Sequence, residues 1–225
     1  MSGVEVEYSE ENFRILKEKR RRAKELMEIL EKFGLQSITY GSIARGDVNV
    51  KSDVDIFIPQ QVPSFKIELA LEGFDFVEKR IVQATPNYAI KGEFVIDELT
   101  TISFPLVKMK ERELDFYRFG GCISYGELLK DLRVPGVDKR LFLIVPNAKG
   151  HKEIPLSEIH PSVVAKILGV SIDIVLERMR ILSRRREIGR TGIYICEKIP
   201  IEESFESALR ELISKNPAIR RRILD

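Results

Sequence analysis

This chain of 225 residues has no tryptophan, two cysteines and two histidines. Cys122 and Cys196 are distant in sequence and neither sits in a CxxC pair. That argues against a disulfide scaffold and a cysteine-based zinc site, and for a reducing, cytoplasmic setting. His151 and His160 lack a cysteine or carboxylate at ligand spacing, and His160 precedes Pro161 where a helix starts, so capping or surface roles are expected of them. An excess of one charge sign is also missing: 37 basic residues face 35 acidic ones, so only local clustering can point to a nucleic-acid partner. No apolar run approaches the ~20 residues of a membrane span, and Met1 to Glu7 has neither the basic start nor the apolar core of a secretory signal. No membrane partner is expected. Repeats and low-complexity segments are absent from the sequence.

What the chain does have is enough apolar content, 44%, to build one large domain or two small ones. Abundant Lys, Arg and Glu without tryptophan suit a thermophile. The most informative stretch is Tyr40-Gly41-Ser42-Ile43-Ala44-Arg45-Gly46-Asp47, followed by Ser52-Asp53-Val54-Asp55-Ile56-Phe57-Ile58. Asp53 and Asp55 are one residue apart inside an apolar run, and in a β-strand that spacing sends both carboxylates to one face. Two anions side by side are costly unless a cation or water separates them. Upstream, Gly41-Ser42 ends an apolar segment at a turn whose backbone N–H groups can face an anion. A phosphate cradle and a divalent-metal clamp within so short a stretch are what phosphoryl transfer requires.

Gly-Ser, ten residues, then Asp-x-Asp among hydrophobics resembles the DNA polymerase β superfamily of nucleotidyltransferases, and most of all its minimal prokaryotic members. The resemblance covers residues 40–58. It implies that Gly41 and Ser42 hold the triphosphate of a nucleotide and that Asp53 and Asp55 bind Mg²⁺ (or Mn²⁺). Arg45, or a basic residue from the middle of the chain, would offset charge on the leaving pyrophosphate. The resemblance also implies a third acid on a neighbouring strand, as base and metal ligand. Asp97, after Phe94-Val95-Ile96, is the favoured candidate for catalysis and metal binding. Glu93, four residues earlier and so expected on the same face, is the reserve. Asp97 as a mere hairpin cap is the competing reading.

The expected fold class is α+β: a polymerase β-like mixed sheet flanked by helices over residues 1–120, a connecting α/β segment over 121–156, and a small, mainly helical, winged-helix-like domain over 157–225. Ser9 to Phe33 reads as a capped helix stopped by Gly34, with Phe13, Leu16, Ala23, Met27, Leu30 and Phe33 in its apolar stripe. Lys17, Lys19, Arg20, Arg21, Arg22 and Lys24 lie on its other faces, to be solvated or to meet phosphates. Strands are expected over 35–40, around Asp53 and Asp55, and over 76–83, 88–96, 100–104 and 141–145, with a loop over 146–151.

Near the carboxyl end, Ala165-Lys166-Ile167-Leu168-Gly169-Val170-Ser171 and the helix after it form a helix–turn–helix pattern and resemble the winged helix-turn-helix domains of transcription regulators. Glu187 to Ile195 would form the wing. Arg178, Arg180, Arg184, Arg185, Arg186 and Arg190 against one acid, Glu187, make a nucleic-acid-binding footprint, with Arg220-Arg221-Arg222 as a second cluster. If that module folds as expected, Ile167, Leu168, Val175, Met179 and Leu182 are buried and the arginines exposed on one side.

The expected function is Mg²⁺-dependent transfer of a nucleoside monophosphate from a nucleoside triphosphate to an acceptor hydroxyl, releasing pyrophosphate. The alternative is a regulator that binds RNA or DNA and carries a degenerate or nucleotide-sensing nucleotidyltransferase half. The acceptor (an RNA end, a protein or a small molecule) and the oligomeric state stay open at this stage.

Overall fold

A helix that carries a buried arginine anchors the fold. The computed structural model describes residues 3–189 and 192–224. After strand β1 (Val4–Glu7), helix α1 (Glu10–Lys32) starts where Ser9 Oγ accepts the Asn12 amide at 3.2 Å. It buries Leu16, Ala23, Leu26, Met27 and Leu30, whereas Phe13 and Phe33 stay exposed at the ends of the stripe. Arg20, expected on a solvated face, is buried instead.

The chain then builds β2 (Ile38–Tyr40), a short turn of helix α2 (Ser42–Arg45), β3 (Val54–Phe57), α3 (Ser64–Ala70), β4 (Glu78–Gln83), β5 (Lys91–Asp97), β6 (Thr100–Pro105), α4 (Glu111–Gly120) and β7 (Cys122–Ser124). With β11 (Ile195–Ile199) these strands form a seven-stranded sheet in the order β11-β4-β5-β6-β3-β2-β7. Only β3 and β6 run parallel; the other pairs are antiparallel. One face packs on α1 and α3 through Val54, Ile56, Phe94, Ile102 and Phe104. Asp55, Phe57 and Glu93 alternate onto the other face, where α4 lies. This is the expected mixed α+β architecture.

A second sheet was not legible in the sequence. After α5 (Tyr125–Leu129) come β8 (Gly136–Val137), β9 (Phe142–Asn147) and β10 (Gly150–Pro155), and with β1 they form an antiparallel sheet in the order β1-β10-β9-β8. Residues 146–151, expected as a loop, are mostly strand. Against this sheet pack α6 (Pro161–Leu168) and the first half of α7 (Ile172–Ile188), giving a second apolar cluster around Leu143, Ile154, Val164, Ile174 and Val175. The two expected helices are formed as a pair, α6 and α7, with Gly169 at φ 62 between them. Within it Val175 and Leu182 are buried, Leu168 and Met179 only partly, and Ile167 is exposed.

No wing hairpin is formed among the described residues of 187–195, to which Arg190 and Thr191 do not belong. Glu187 and Ile188 continue α7, and β11 leaves to pair with β4 at the edge of the large sheet. Helices α8 (Phe205–Lys215) and α9 (Pro217–Leu224) then return to the first cluster, so residues 195–224 pack with the amino-terminal half rather than with the α6–α7 pair. Phe205 sits at 5.0 Å from both Phe94 and Phe104. Buried Lys79 holds the same return, donating to Glu68 at 2.7 Å and to the carbonyls of Ile201 and Glu203 at 3.0 and 2.6 Å. Arg222, expected in a phosphate-binding cluster, is buried against Glu113 at 2.9 Å. Among the described residues no helix is long and apolar enough to cross a membrane.

Phe205→Ala should therefore cost about 3–5 kcal/mol of stability for the whole molecule, the range for removing a buried phenyl ring. Urea unfolding followed by circular dichroism checks this. A separate carboxyl-terminal module would instead lose its own small transition and leave the main one unmoved.

Candidate active site

Two carboxylates and a glycine turn face each other across a cleft of about 560 Å³. Asp55 lies in β3 and Asp53 just before it, and both line the cleft with Gly41 and Ser42. Gly41 takes φ 71, a left-handed conformation that favours glycine, and its amide donates to Gly121 O at 2.8 Å. The chain thus turns sharply into α2, whose first internal bonds are those from Ala44 and Arg45 to Gly41 O. The amides of Ser42 and Ile43 precede those bonds at the mouth of the turn.

Arg45 does not serve as a phosphate hand. It is buried, forks onto Asp47 with two contacts of 2.9 Å and donates to Gly120 O at 2.6 Å. Among the described residues, the cleft is also lined by exposed Lys51, just before Asp53, and by Lys139 from the middle of the chain. Lys139 is exposed, lines the cleft and lowers the pKa of Asp55. Its neighbour Arg140 is taken by Asp138 at 2.6 Å and Glu153 at 2.5 Å. Lys139 arrives there because β8 docks on the end of α4. A Cβ on Gly136 would lie 2.5 Å from the Gly120 carbonyl, so a side chain there would push this segment off. The glycine pair Gly120-Gly121 reads in sequence only as a helix stop.

The third acid is where structure and expectation part. Between Val95 and Asp97 a β-bulge shifts the register, pairing Asp97 with Thr100. Asp97 is thereby turned onto the α1 face, where Arg22 meets it at 3.3 Å and the Leu99 amide donates to it at 2.9 Å. Burial works against its charge, but these contacts hold its carboxyl below the usual range. Asp97 is therefore not brought to the Asp53–Asp55 pair. On the strand beside β3, the residues facing the site are Thr101 and Ser103, which are not acids. The next carboxylate on that face is Glu93, one strand further, held by Arg80 at 2.7 Å.

Asp55 records this crowding. Burial, then Asp53, then Glu93 push its pKa up from 3.8 to about 6, against the smaller pull of Lys139 and Lys91. The donor set is hard oxygen, and a carboxylate pair that repels itself in a desolvated strand end fits a small divalent cation such as Mg²⁺. Among the described residues no three acids, histidines or cysteines are gathered as a metal cage. Asp53 and Asp55 would therefore be the protein's share of the ligands, with phosphate oxygens and water completing the shell, as is usual for Mg²⁺.

Of the arginines expected to bind nucleic acid, Arg180, Arg184, Arg185 and Arg186 are exposed, Arg186 donating to the Arg140 carbonyl. Arg178 is only partly exposed, stacked 4.9 Å over the Phe116 ring. Arg190 lies outside the described residues.

Residues 16–114 match the family model of the nucleotidyltransferase domain, a span that holds the Gly41–Ser42 turn, the acid pair and Glu93. No curated protein and no solved structure gives a significant match to the chain.

The raised pKa of Asp55 carries a stability consequence. Between about pH 4 and 6 the folded state binds the Asp55 proton more tightly than the unfolded chain does. Stability is therefore lost as pH rises through that window, by up to about 3 kcal/mol. In chelator, Asp55→Asn should then be more stable than the parent at pH 8, with the gap closing at pH 4. Thermal unfolding at both pH values checks this, and a variant less stable at pH 8 would refute it.

Proposed function

We propose that the protein is a metal-dependent nucleotidyltransferase that moves a nucleoside monophosphate from a nucleoside triphosphate to an acceptor hydroxyl. The observation that carries this is the Asp53–Asp55 pair lining one cleft with the Gly41–Ser42 turn, inside the segment that matches the family. Mg²⁺ or Mn²⁺ on Asp53 and Asp55 would supply charge neutralisation at the phosphates. Ser42 and the open amides of its turn grip the triphosphate, and Lys139 faces the charge of the leaving pyrophosphate. The acceptor oxygen attacks the α-phosphorus. The bond to the β-phosphate breaks with its electron pair on pyrophosphate, and the hydroxyl proton passes to a carboxylate, for which Glu93 replaces Asp97 as the candidate. Arg20, Arg45 and Asp47 hold the turn without touching substrate.

A second reading keeps nucleotide binding and drops the chemistry: a nucleotide-sensing regulator that binds nucleic acid. It is favoured by Glu93 sitting one strand from the pair, already bonded to Arg80. Incubation with Mg²⁺, labelled nucleoside triphosphates and bulk RNA separates the two, since label transfer supports the enzyme and nucleotide binding without transfer supports the regulator.

Three variants sharpen the enzyme reading. Glu93→Gln should lower the transfer rate ~10²–10⁴-fold, the usual worth of a general base, while Asp97→Asn stays near the parent rate. The reverse ranking would return the role to Asp97. Ser42→Ala should weaken triphosphate binding by ~1.5–3 kcal/mol, the value of a hydrogen bond to a charged oxygen, as read by equilibrium titration.

A further inference from the structure

Beside the cleft lies a second cavity, of about 400 Å³, between the Ala84–Lys91 segment, α4 and α7. The two cavities meet at Phe116 and Arg178, which line both. Ser42 and Asp53 line only the first cavity, and Lys91 and Tyr117 only the second. Lys91 is two residues from Glu93 on the same strand face, and Tyr117 stacks at 4.0 Å on Phe57, two residues after Asp55. The second cavity therefore adjoins the carboxylates beside Lys91 and Tyr117, without Ser42 or Asp53 in its lining. If a triphosphate fills the first, the second is left for the acceptor.

The lining selects the acceptor's chemistry. Among the described lining residues, four cations, Lys91, Arg178, Arg184 and Arg185, face a single acid, Glu113. That acid is already taken by Arg222 and by the amides of Ala89 and Lys110. Arg178 is half-buried with its Nε unpartnered. Burial, and then Arg185 beside it, push its pKa down. A half-buried guanidinium whose Nε has no partner is costly, and an anion entering the cavity would offset that cost. The remaining wall is flat and apolar: Phe116, Tyr88, Met109 and Ile181. An anion carried on a flat ring system fits; a polycationic small molecule is repelled. At the mouth, Arg184 and Arg185 are exposed on the last turns of α7, and Arg180 is exposed one turn before them. Charge therefore extends beyond what one mononucleotide can use.

We infer that this cavity is the acceptor site and takes the 3′-terminal nucleotide of a single-stranded nucleic acid, its base against the Phe116–Arg178 wall and its phosphates on Arg178, Arg184 and Arg185. A single strand is required because a paired base cannot leave its stack to enter. The chemistry rests on the nucleotidyltransferase reading. The strand's 3′-hydroxyl oxygen bonds the α-phosphorus of the triphosphate, pyrophosphate leaves with the electrons of the broken bond, and the proton goes to Glu93, lengthening the strand by one nucleotide. The binding does not rest on that reading.

The test uses the full chain in chelator and a 12-nucleotide single strand carrying fluorescein on an internal base, RNA and DNA in parallel, followed by anisotropy. One of the two linear strands should bind, at least ~10-fold more tightly than its circularised form or a blunt duplex of it, one decade being ~1.4 kcal/mol. Arg178→Gln and the exposed pair Arg184→Ala/Arg185→Ala should each weaken it by a similar factor, and the double variant should flatten the log–log salt slope by ~1.4, at ~0.7 per contact for single strands. Equal binding of linear and circular strands, unchanged binding by the arginine variants, or displacement by free mononucleotide at the strand's own concentration would overturn the inference. With Mg²⁺ and triphosphate added, strand binding without label transfer sinks the transferase reading alone. Transfer to another acceptor without strand binding sinks the inference alone.

Discussion

The guanidinium of Arg20, buried under the Gly41–Ser42 turn, is the contact on which the site depends. It donates from Nε to Ile43 O at 3.1 Å and from one terminal nitrogen to Ala44 O at 3.1 Å and Leu132 O at 2.8 Å. A helix as short as α2 cannot satisfy its own last carbonyls, and a planar fork of donors supplies what it lacks. Burial lowers the pKa of Arg20 to about 10, which still leaves it charged at neutral pH. Arg45 secures the turn from the other end by holding Asp47 and Gly120 O. Two arginines that a charge count would place on phosphates thus build the frame of the turn instead.

What was legible in the sequence was local. The period-two spacing of Asp53 and Asp55 does put both toward one cleft, the Ser9 cap does start a long helix, and the glycine after Tyr40 does make the turn into α2. The errors came from long-range pairings and from one backbone irregularity. A bulge adds one residue and so reverses every later side chain, which is why Asp97 and Glu93, expected on one face, lie on opposite faces. Nothing in Ile195–Ile199 says that it will pair with β4 rather than fold back as a wing, because both outcomes use the same alternating pattern. Likewise, β1 shows itself as a strand only through its partner β10, more than a hundred residues away.

The near-zero net charge conceals a strong separation. The sheet floor carries Asp53, Asp55 and Glu93, close enough that Asp55 is forced toward its neutral form. Lys139 and the arginines of α7 stand above it, on elements rooted in the other cluster or running out of it. Glu93 is met by Arg80 within the sheet, whereas Asp53 and Asp55 have no ion pair among the described residues, and Lys139, Arg184 and Arg185 stay exposed above them.

That separation explains why helix α7 is longer than its pairing with α6 needs. Its first turns bury Ile174 and Val175 against the small sheet, which fixes its direction. Its middle then reaches the large domain: Glu177 is bonded to Tyr88 and Arg112, and Ser171 at its cap donates its amide to Asp115 on α4 at 3.0 Å. These contacts hold Arg178 in the wall shared by the two cavities and bring Arg184 and Arg185 to the lining of the second, where both stay exposed at its mouth. Because α7 is clamped at both its start and its middle, its place beside the acid pair is set by Tyr88 and α4 as well as by the small sheet.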